Sequence, residues 1–166
     1  MPESNETKPV KAGEFKTGCL YRTIKPFSSR DFDMDSHPRW LIYLGKSSSF
    51  DCRIVVYSYS PTTQLWHFEN GGDKEKSPHI KYTKGQYGFT EDCVICFDDI
   101  IDYLTEQELE AYEPVYINSF DENELRKIYE CILKSDKIKF IDKLDIHTNL
   151  SNINIKNLQK PKRRKR

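Results

Sequence analysis

Arg39 and the pair Thr62 and Thr63 are the residues whose types and positions could do chemistry in this chain. Arg39 comes just before an apolar run over 41–44, and the threonines follow a β-branched and aromatic stretch over 52–59. Consecutive strands usually lie side by side in a sheet, so the guanidinium and the two hydroxyls could meet at one place. A fixed cation beside hydroxyl donors suits phosphate binding or phosphodiester cleavage.

Other side chains near these positions are candidates for proton transfer and for stacking. His37 is the nearest group to Arg39 whose ordinary pKa suits proton transfer at neutral pH. Trp66 and Phe68 lie in a long loop, residues 64–78, where exposed rings could stack on nucleic acid bases. Tyr57 and Tyr59 share one face of their strand and could either stack on bases or pack in the core.

Each candidate also has a purely structural explanation. Arg39 could form a salt bridge with Asp92 or with an acid in 31–35, and the threonines could simply form a turn after Pro61. Five cysteines in a chain without an evident signal peptide favour reduced thiols. The spacing Cys93-x-x-Cys96 lies in an apolar run and has no second pair, so buried packing is expected there and a zinc site is not.

Charge is balanced overall but unevenly distributed. Residues 156–166 hold seven basic and no acidic residues, which leaves 19 basic and 26 acidic residues in the rest of the chain. Such a tail attracts polyanions without reading their sequence, or is simply a solvated end. No apolar run is long enough to span a membrane, and residues 1–16 lack an apolar signal core, so a cytoplasmic protein without membrane contact is expected.

The elements that must position these residues are short strands followed by helices. Strands are predicted over 18–24, 39–45, 52–59, 79–82, 93–97 and 100–104, and the loop 64–78 is expected to be mobile. A capping-box pattern at 105–108 predicts a short helix, and helical spacing of apolar residues predicts a longer one over 121–134. This order indicates an α+β fold, a small barrel or curled antiparallel sheet with a C-terminal helix packed on it.

The order of these landmarks resembles the MazF/PemK/Kid toxins, which are small SH3-like barrels of bacterial toxin–antitoxin systems. A glycine-led strand at 18–21, an arginine-led strand at 38–42 and a strand ending in threonine at 55–63 follow one another as in the family. The family usually has a proline after the arginine, whereas here Pro38 precedes Arg39 and Trp40 follows it. The densest match is a run that the family carries before its last strand: His79-Ile80, Tyr87-Gly88-Phe89, Asp92, Val94-Ile95 and Ile100.

The resemblance implies a metal-independent, sequence-specific endoribonuclease that cleaves single-stranded RNA through attack of the 2′-OH. In this scheme Arg39 stabilises the phosphate charge, Thr62 or Thr63 bonds the same phosphate, and no cofactor is needed. A homodimer and a cognate antitoxin, expected to be a protein, are also implied. RNA is expected to run over the loops 25–38 and 64–78, away from the acidic segment 98–130, with contacts from Lys25, Ser28, Gln64, Trp66 and Phe68.

The chain is accordingly divided into four segments. A flexible arm is expected over 1–16, the MazF/PemK-like barrel domain over 17–135, a candidate for a further helix over 136–155, and a basic disordered tail over 156–166. Two alternatives stay open at this point. One is a non-catalytic module on the same fold that binds RNA or protein, and the other is a toxin that is held inactive by a folded RNA.

Overall fold

The computed structural model describes residues 8–26, 38–48 and 53–165, and it has six strands and three α-helices in these ranges. Two of the candidate residues, His37 and Ser28, lie outside the described residues. The strands are β1 (Cys19–Thr23), β2 (Trp40–Lys46), β3 (Val56–Tyr59), β4 (His79–Tyr82), β5 (Cys93–Cys96) and β6 (Pro114–Ser119). The helices are α1 (Glu106–Glu110), α2 (Glu122–Lys134) and α3 (Phe140–Asn152).

The described strands form two antiparallel sheets. The first has the order β3-β2-β1-β6, and the second pairs β4 with β5. A one-residue bridge between Thr62 and Val94 connects the end of β3 to β5. The prediction of an α+β fold with antiparallel strands is confirmed, while the strands of the described residues do not close into a single barrel.

The last strand was predicted in the wrong place. Within 100–104 only Ile101 forms a bridge, to Ser58, before the chain turns into α1. The sixth strand is instead β6, which lies at the edge of the first sheet beside β1. An edge strand buries little of its surface, and Pro114 and Asn118 look like strand breakers in the sequence. These two properties concealed β6.

Alternation along the central strands divides the core into two layers. Leu20, Ile42 and Tyr57 face α2 and α3, where they pack against apolar residues at helical spacing. The opposite face of the sheet carries a smaller cluster with Tyr21 and Tyr43. Tyr57 and Tyr59 are both buried, so their rings pack in the core and do not stack on a ligand.

Helices α1 and α2 begin where the sequence patterns place them. Thr105 accepts a hydrogen bond from the backbone N–H of Glu108, whose side chain returns to Thr105, which confirms the capping box of α1. Asp121 caps α2 by accepting from the Glu124 N–H. On α2 the buried residues Leu125, Ile128 and Ile132 form the face that packs on the sheet. Helix α3 adds a second helix to the same layer, within the segment 136–155.

The two ends of the chain pack on the fold over much of their described length. In the segment expected to be a flexible arm, Phe15 stacks on Tyr43 with ring centroids 5.3 Å apart. In the segment expected to be a disordered tail, the carbonyl of Gln159 accepts a hydrogen bond from Tyr129, and Pro161 is buried. The basic residues over 162–165 are exposed, with Arg163 held over the ring of Phe140.

Candidate phosphate-binding site

A cavity of about 570 Å³ opens where β2 begins and β3 ends. Three segments line it, residues 38–40, 60–64 and 89–91, together with Arg22 and Cys93. The sequence predicts that Arg39 and the two threonines meet, and all three residues belong to this lining. Gln64, one of the predicted RNA contacts, lines the cavity as well.

The threonine segment is fixed by its backbone. The Thr62 N–H donates to the Val94 carbonyl at 2.9 Å, and the Val94 N–H returns to the Thr62 carbonyl at 2.9 Å. The Thr62 hydroxyl also accepts from the backbone N–H of Gln64 at 3.2 Å. This bridge holds the segment 60–64 against β5, so that the two threonines keep a fixed position beside the cavity.

Arg39 is positioned in a similar way by the strand next to it. Its backbone N–H donates to the buried Thr23 hydroxyl at 2.8 Å, and the Thr23 N–H donates to the Arg39 carbonyl at 2.8 Å. These bonds attach the residue to the end of β1, with its half-buried side chain in the cavity lining. Asp92, one of the acids considered as a partner for Arg39, accepts the Lys84 N–H at 2.7 Å.

Arg22 is a second guanidinium in the cavity lining, and it was not among the predicted site residues. It pairs with Trp40 across β1 and β2, and its guanidinium carbon lies 5.7 Å from the centroid of the Trp40 ring. Trp40 in turn packs on Phe89 with centroids 5.5 Å apart. A cation over an indole face is stabilised by about 0.5–1 kcal/mol at an exposed site. The signal was present in the sequence, since Arg22 is the only charged residue in 18–24.

The charges around the cavity favour an anion. The lining contains two guanidiniums, those of Arg22 and Arg39, and a single carboxylate, that of Glu91. Guanidinium groups remain protonated and offer a planar pair of N–H donors that matches two phosphate oxygens. The lining also contains Thr62 and Thr63, whose hydroxyls are able to donate to a phosphate oxygen.

Cys93 is the one thiol in the cavity lining, and it is not a candidate nucleophile. Burial, with a smaller contribution from the carboxylates of Asp92 and Glu91, raises the pKa of the Cys93 thiol to about 11. A protonated thiol is a poor nucleophile and a poor metal ligand. In the described ranges, no three His, Cys, Asp or Glu side chains gather in a way that could hold a metal ion.

The remaining predicted RNA contacts, Trp66, Phe68 and Lys25, differ in exposure and in position. Trp66 is 61% exposed, as expected for a ring that could stack on a base. Phe68 is only 4% exposed, so the expectation of an exposed ring is wrong there: its ring packs at 4.9 Å on His79 and in a cluster with Val94 and Cys96. Lys25 is exposed and pairs with Glu113 at 3.2 Å, outside the cavity lining.

Comparison with known proteins gives no relative from which a function could be inferred. No protein-family model matches the chain, and no curated protein matches it. In the part of the chain that the structure describes, no helix is long and apolar enough to cross a membrane. The class of protein must therefore be inferred from the geometry around Arg39 and its neighbours.

Proposed function

We propose that this protein is a metal-independent endoribonuclease of the MazF/PemK/Kid type, which cleaves single-stranded RNA by attack of the 2′-OH. One observation carries the proposal: Arg39, Thr62 and Thr63 line a single cavity, each held there by strand ends that are bonded to neighbouring strands. The second guanidinium, that of Arg22, strengthens the match to a polyanionic substrate.

RNA carries its own nucleophile, which limits what the protein must supply. The 2′-oxygen attacks the adjacent phosphorus and the bond to the 5′-oxygen breaks, which yields a 2′,3′-cyclic phosphate and a 5′-hydroxyl end. Negative charge accumulates on the non-bridging oxygens as the attack proceeds. Arg39 stabilises that charge, and the hydroxyl of Thr62 or Thr63 donates to the same phosphate. Arg22 lies in the same lining and is suited to hold a flanking phosphate.

The remaining expectations from the family resemblance belong to the same proposal. The bridges from Thr62 to Val94 and from Ser58 to Ile101 support an SH3-like arrangement in which the two sheets curl around one core. A homodimer, a protein antitoxin that covers the cleft and action in the cytoplasm follow from the family resemblance.

RNA cleavage by the purified protein tests the proposal. Mixed-sequence RNA is incubated in excess EDTA, and new 5′-hydroxyl ends are mapped. Arg39→Ala should lower kcat by about 10²-fold or more, because it removes the charge that stabilises the transition state. Arg126→Ala is the matched control, since this arginine of α2 bonds Glu122 and the Lys156 carbonyl, outside the cavity lining. Equal cleavage by wild type and Arg39→Ala would contradict the role given to Arg39.

A second candidate function is favoured by one residue. Trp40 follows Arg39 where the family usually has proline, and its ring packs on Phe89 beneath the Arg22 guanidinium. A cleft arranged in this way could bind RNA without cleaving it. Fluorescence anisotropy with labelled RNA distinguishes the two functions: tight binding by wild type without any product would support the binding module and would contradict the nuclease.

A further inference from the structure

The C-terminal segment after α3 is attached to the two long helices. The Leu158 carbonyl lies 3.3 Å from Nε2 of His147 on α3, and the Gln159 carbonyl accepts a hydrogen bond from the Tyr129 hydroxyl of α2. Pro161 is buried. The basic residues that follow Pro161 therefore start from a fixed point on the fold.

Two of these basic residues contact the connection between α2 and α3. The guanidinium carbon of Arg163 lies 5.1 Å from the ring centroid of Phe140, the first residue of α3. Arg164 forms an ion pair with Asp136, which is 28 positions away in the chain. The tail is thus brought against residues 134–139, which carry exposed lysines of their own.

Residues 134–139 and 160–165 together form a positively charged surface, which we call the basic corner. They contain eight basic residues and one acidic residue. All eight basic residues are exposed: Lys134, Lys137, Lys139, Lys160, Lys162, Arg163, Arg164 and Lys165. The one acidic residue, Asp136, is already paired with Arg164, so most of the positive charge at this corner is available to a ligand.

Few carboxylates of the described residues oppose this charge. Asp98 accepts a hydrogen bond from the Ser135 hydroxyl, and Asp142 is buried and accepts from Tyr57. Glu130 of α2 is exposed. Like charges that the fold holds together repel one another, and a bound polyanion offsets that repulsion and releases its own counterions. The basic corner therefore favours a ligand that carries many negative charges.

The composition of the basic corner fits a chain of phosphates. Five of its cations lie within 160–165, a segment that can span at most about 20 Å, so one phosphate chain could contact several of them. A membrane surface also requires apolar side chains that insert into it, and among the exposed large apolar residues of the described chain only Ile141 adjoins the corner. The cavity with Arg22 and Arg39 is a second positive region of the same molecule, which suits a ligand with a row of phosphates.

The basic corner and the cavity lie at opposite ends of β5. Cys93, the first residue of β5, lines the cavity. Asp98 follows the other end of this strand and bonds Ser135, which ends α2 within the corner. The four residues of β5 span about 13 Å, and no residue of the corner belongs to the cavity lining. The corner should therefore contribute affinity and no chemistry.

We propose that the basic corner is a second binding surface for the phosphate backbone of single-stranded RNA. Lys137 and Lys139, which precede α3, bind the backbone together with the tail residues Lys160, Lys162 and Lys165. The choice of RNA rests on the proposed function, whereas the contacts themselves need neither cleavage nor the 2′-OH. They read no sequence, because the ammonium groups bind the charge of the phosphates.

The two lysines before α3 give the decisive test, because a free basic tail would not involve them. Binding of a labelled single-stranded 2′-deoxy oligonucleotide, which cannot be cleaved by 2′-OH attack, is measured by fluorescence anisotropy at a series of salt concentrations. The double variant Lys137→Gln with Lys139→Gln should weaken binding about 10-fold at about 0.15 M salt. The slope of log K against log salt should shrink by about 1.4, since each lost phosphate contact removes about 0.7.

The tail lysines should give a larger loss. Replacing Lys160, Lys162 and Lys165 by Gln keeps Arg163 and Arg164 in place and should weaken binding about 50-fold under the same conditions. The matched control replaces three lysines that are exposed outside both the corner and the cavity lining, Lys11, Lys81 and Lys84. It removes the same net charge and should leave the slope unchanged. A loss in the control equal to that in the tail variant would overturn the inference, because net charge alone would then explain the binding.

Two further results would overturn the inference. In the first, Lys137→Gln with Lys139→Gln binds the oligonucleotide like wild type while the tail variant does not, so the tail acts as a free end and no shared surface exists. In the second, vesicles that contain phosphatidylserine bind wild type and neither variant, while binding of the oligonucleotide is the same in all three. The corner would then be a membrane-binding surface.

RNA cleavage measured in parallel separates failure of this surface from failure of the nuclease. The two corner variants should raise KM for RNA, since they weaken binding outside the cavity. Cleavage by wild type, with unchanged oligonucleotide binding in both variants, would overturn the inference and leave the proposed function in place. Absence of cleavage, with oligonucleotide binding lost in both variants, would overturn the proposed function and support the basic corner as a surface for nucleic acid.

Discussion

Polar side chains on the faces of the sheet that carry the helices bond to those helices, whereas polar residues at the cleft line a cavity. On the helical faces, a tyrosine hydroxyl of a strand donates to a carboxylate of each helix, at 2.6, 2.6 and 2.7 Å. These pairs are Tyr43 with Glu106 of α1, Tyr57 with Asp145 of α3, and Tyr82 with Glu124 of α2. At the cleft, the backbone of Arg39 bonds Thr23, and the backbone of Thr62 bonds Val94, while both residues line a cavity.

The difference indicates which titratable groups are structural. Burial, together with the bonded carboxylate, raises the pKa of Tyr43, Tyr57 and Tyr82 far above the physiological range. Phenols in this state stay protonated and hold their helices, so they are poor candidates for proton transfer. Changes on the helical faces should therefore alter stability and leave chemistry at the cleft intact, whereas Arg39→Ala should do the opposite.

The largest effect on stability is expected at Gly45, where α3 meets β2. Gly45 has φ +91°, and a Cβ there would lie 2.5 Å from the Asn149 amide nitrogen, which donates to the Leu44 and Lys46 carbonyls. Gly45→Ala combines an unfavourable backbone conformation with the loss of these bonds. We expect the free energy of unfolding in urea to fall by about 3 kcal/mol.

A second glycine supplies the control for Gly45→Ala. Gly13 has φ +88° and nothing within 4 Å of its added Cβ. Gly13→Ala should therefore lower the free energy of unfolding only through the unfavourable backbone conformation, by about 1 kcal/mol. RNA affinity of the folded fraction should be unchanged in both variants. A similar loss for the two variants would show that the contact with Asn149 contributes little.

A smaller loss is expected from removing one tyrosine hydroxyl. Tyr57 donates to Asp145 at 2.6 Å and to Asp142 at 3.2 Å, and both carboxylates are buried. Tyr57→Phe removes this donor from both carboxylates, although Asp145 keeps the Ser48 N–H at 3.1 Å, and should lower the free energy of unfolding by about 2 kcal/mol. Tyr129→Phe is the matched control, because its hydroxyl donates to a neutral carbonyl, that of Gln159, and should cost about 1 kcal/mol. A larger loss for Tyr129→Phe would contradict the special role of the carboxylates.

Local patterns in the sequence were sufficient for much of the fold. The strands β1, β3, β4 and β5 lie within the predicted segments, and β2 extends one residue past its segment, because each is a short β-branched or aromatic run between turn residues. The capping box at Thr105 and the apolar face of α2 were also predictable, since both depend on residues only three or four apart. Edge strand β6 was not, because its stability comes from pairing with β1, a partner distant in sequence.

The sequence was sufficient to predict the central residues of the candidate site and insufficient to predict the residues around them. Arg39 and the threonines could be paired because each directly adjoins a recognisable strand. Arg22 enters the site through its register opposite Trp40, which no local pattern specifies. The burial of Phe68 depends on how the loop folds back on β4 and β5. Long loops carry too little local signal to specify such contacts.

The smallest expected effect is a dependence of stability on pH that comes from Asp142. Burial raises the pKa of this carboxyl above its ordinary 3.8, and the charges of Asp102 and Asp145 act in the same direction, while the bond from Tyr57 opposes them. With the pKa raised on folding, the native state holds more protons than the unfolded chain between 3.8 and the raised value. Stability is therefore lost as pH rises through that interval.

Asp142→Asn removes the ionisation and keeps an acceptor for Tyr57. The free energy of unfolding of this variant, relative to wild type, should rise as pH increases above 3.8 and then level off. The total rise should be smaller than the loss caused by Tyr57→Phe. Asp121→Asn is the contrasting control: its bond to the Glu124 N–H lowers the pKa of Asp121, so the stability it contributes is present above 3.8 and is lost as pH falls below it. Urea unfolding at a series of pH values measures both. The free energy of unfolding of Asp142→Asn minus that of wild type could instead be the same at every pH. That result would contradict the prediction that burial raises the pKa of Asp142.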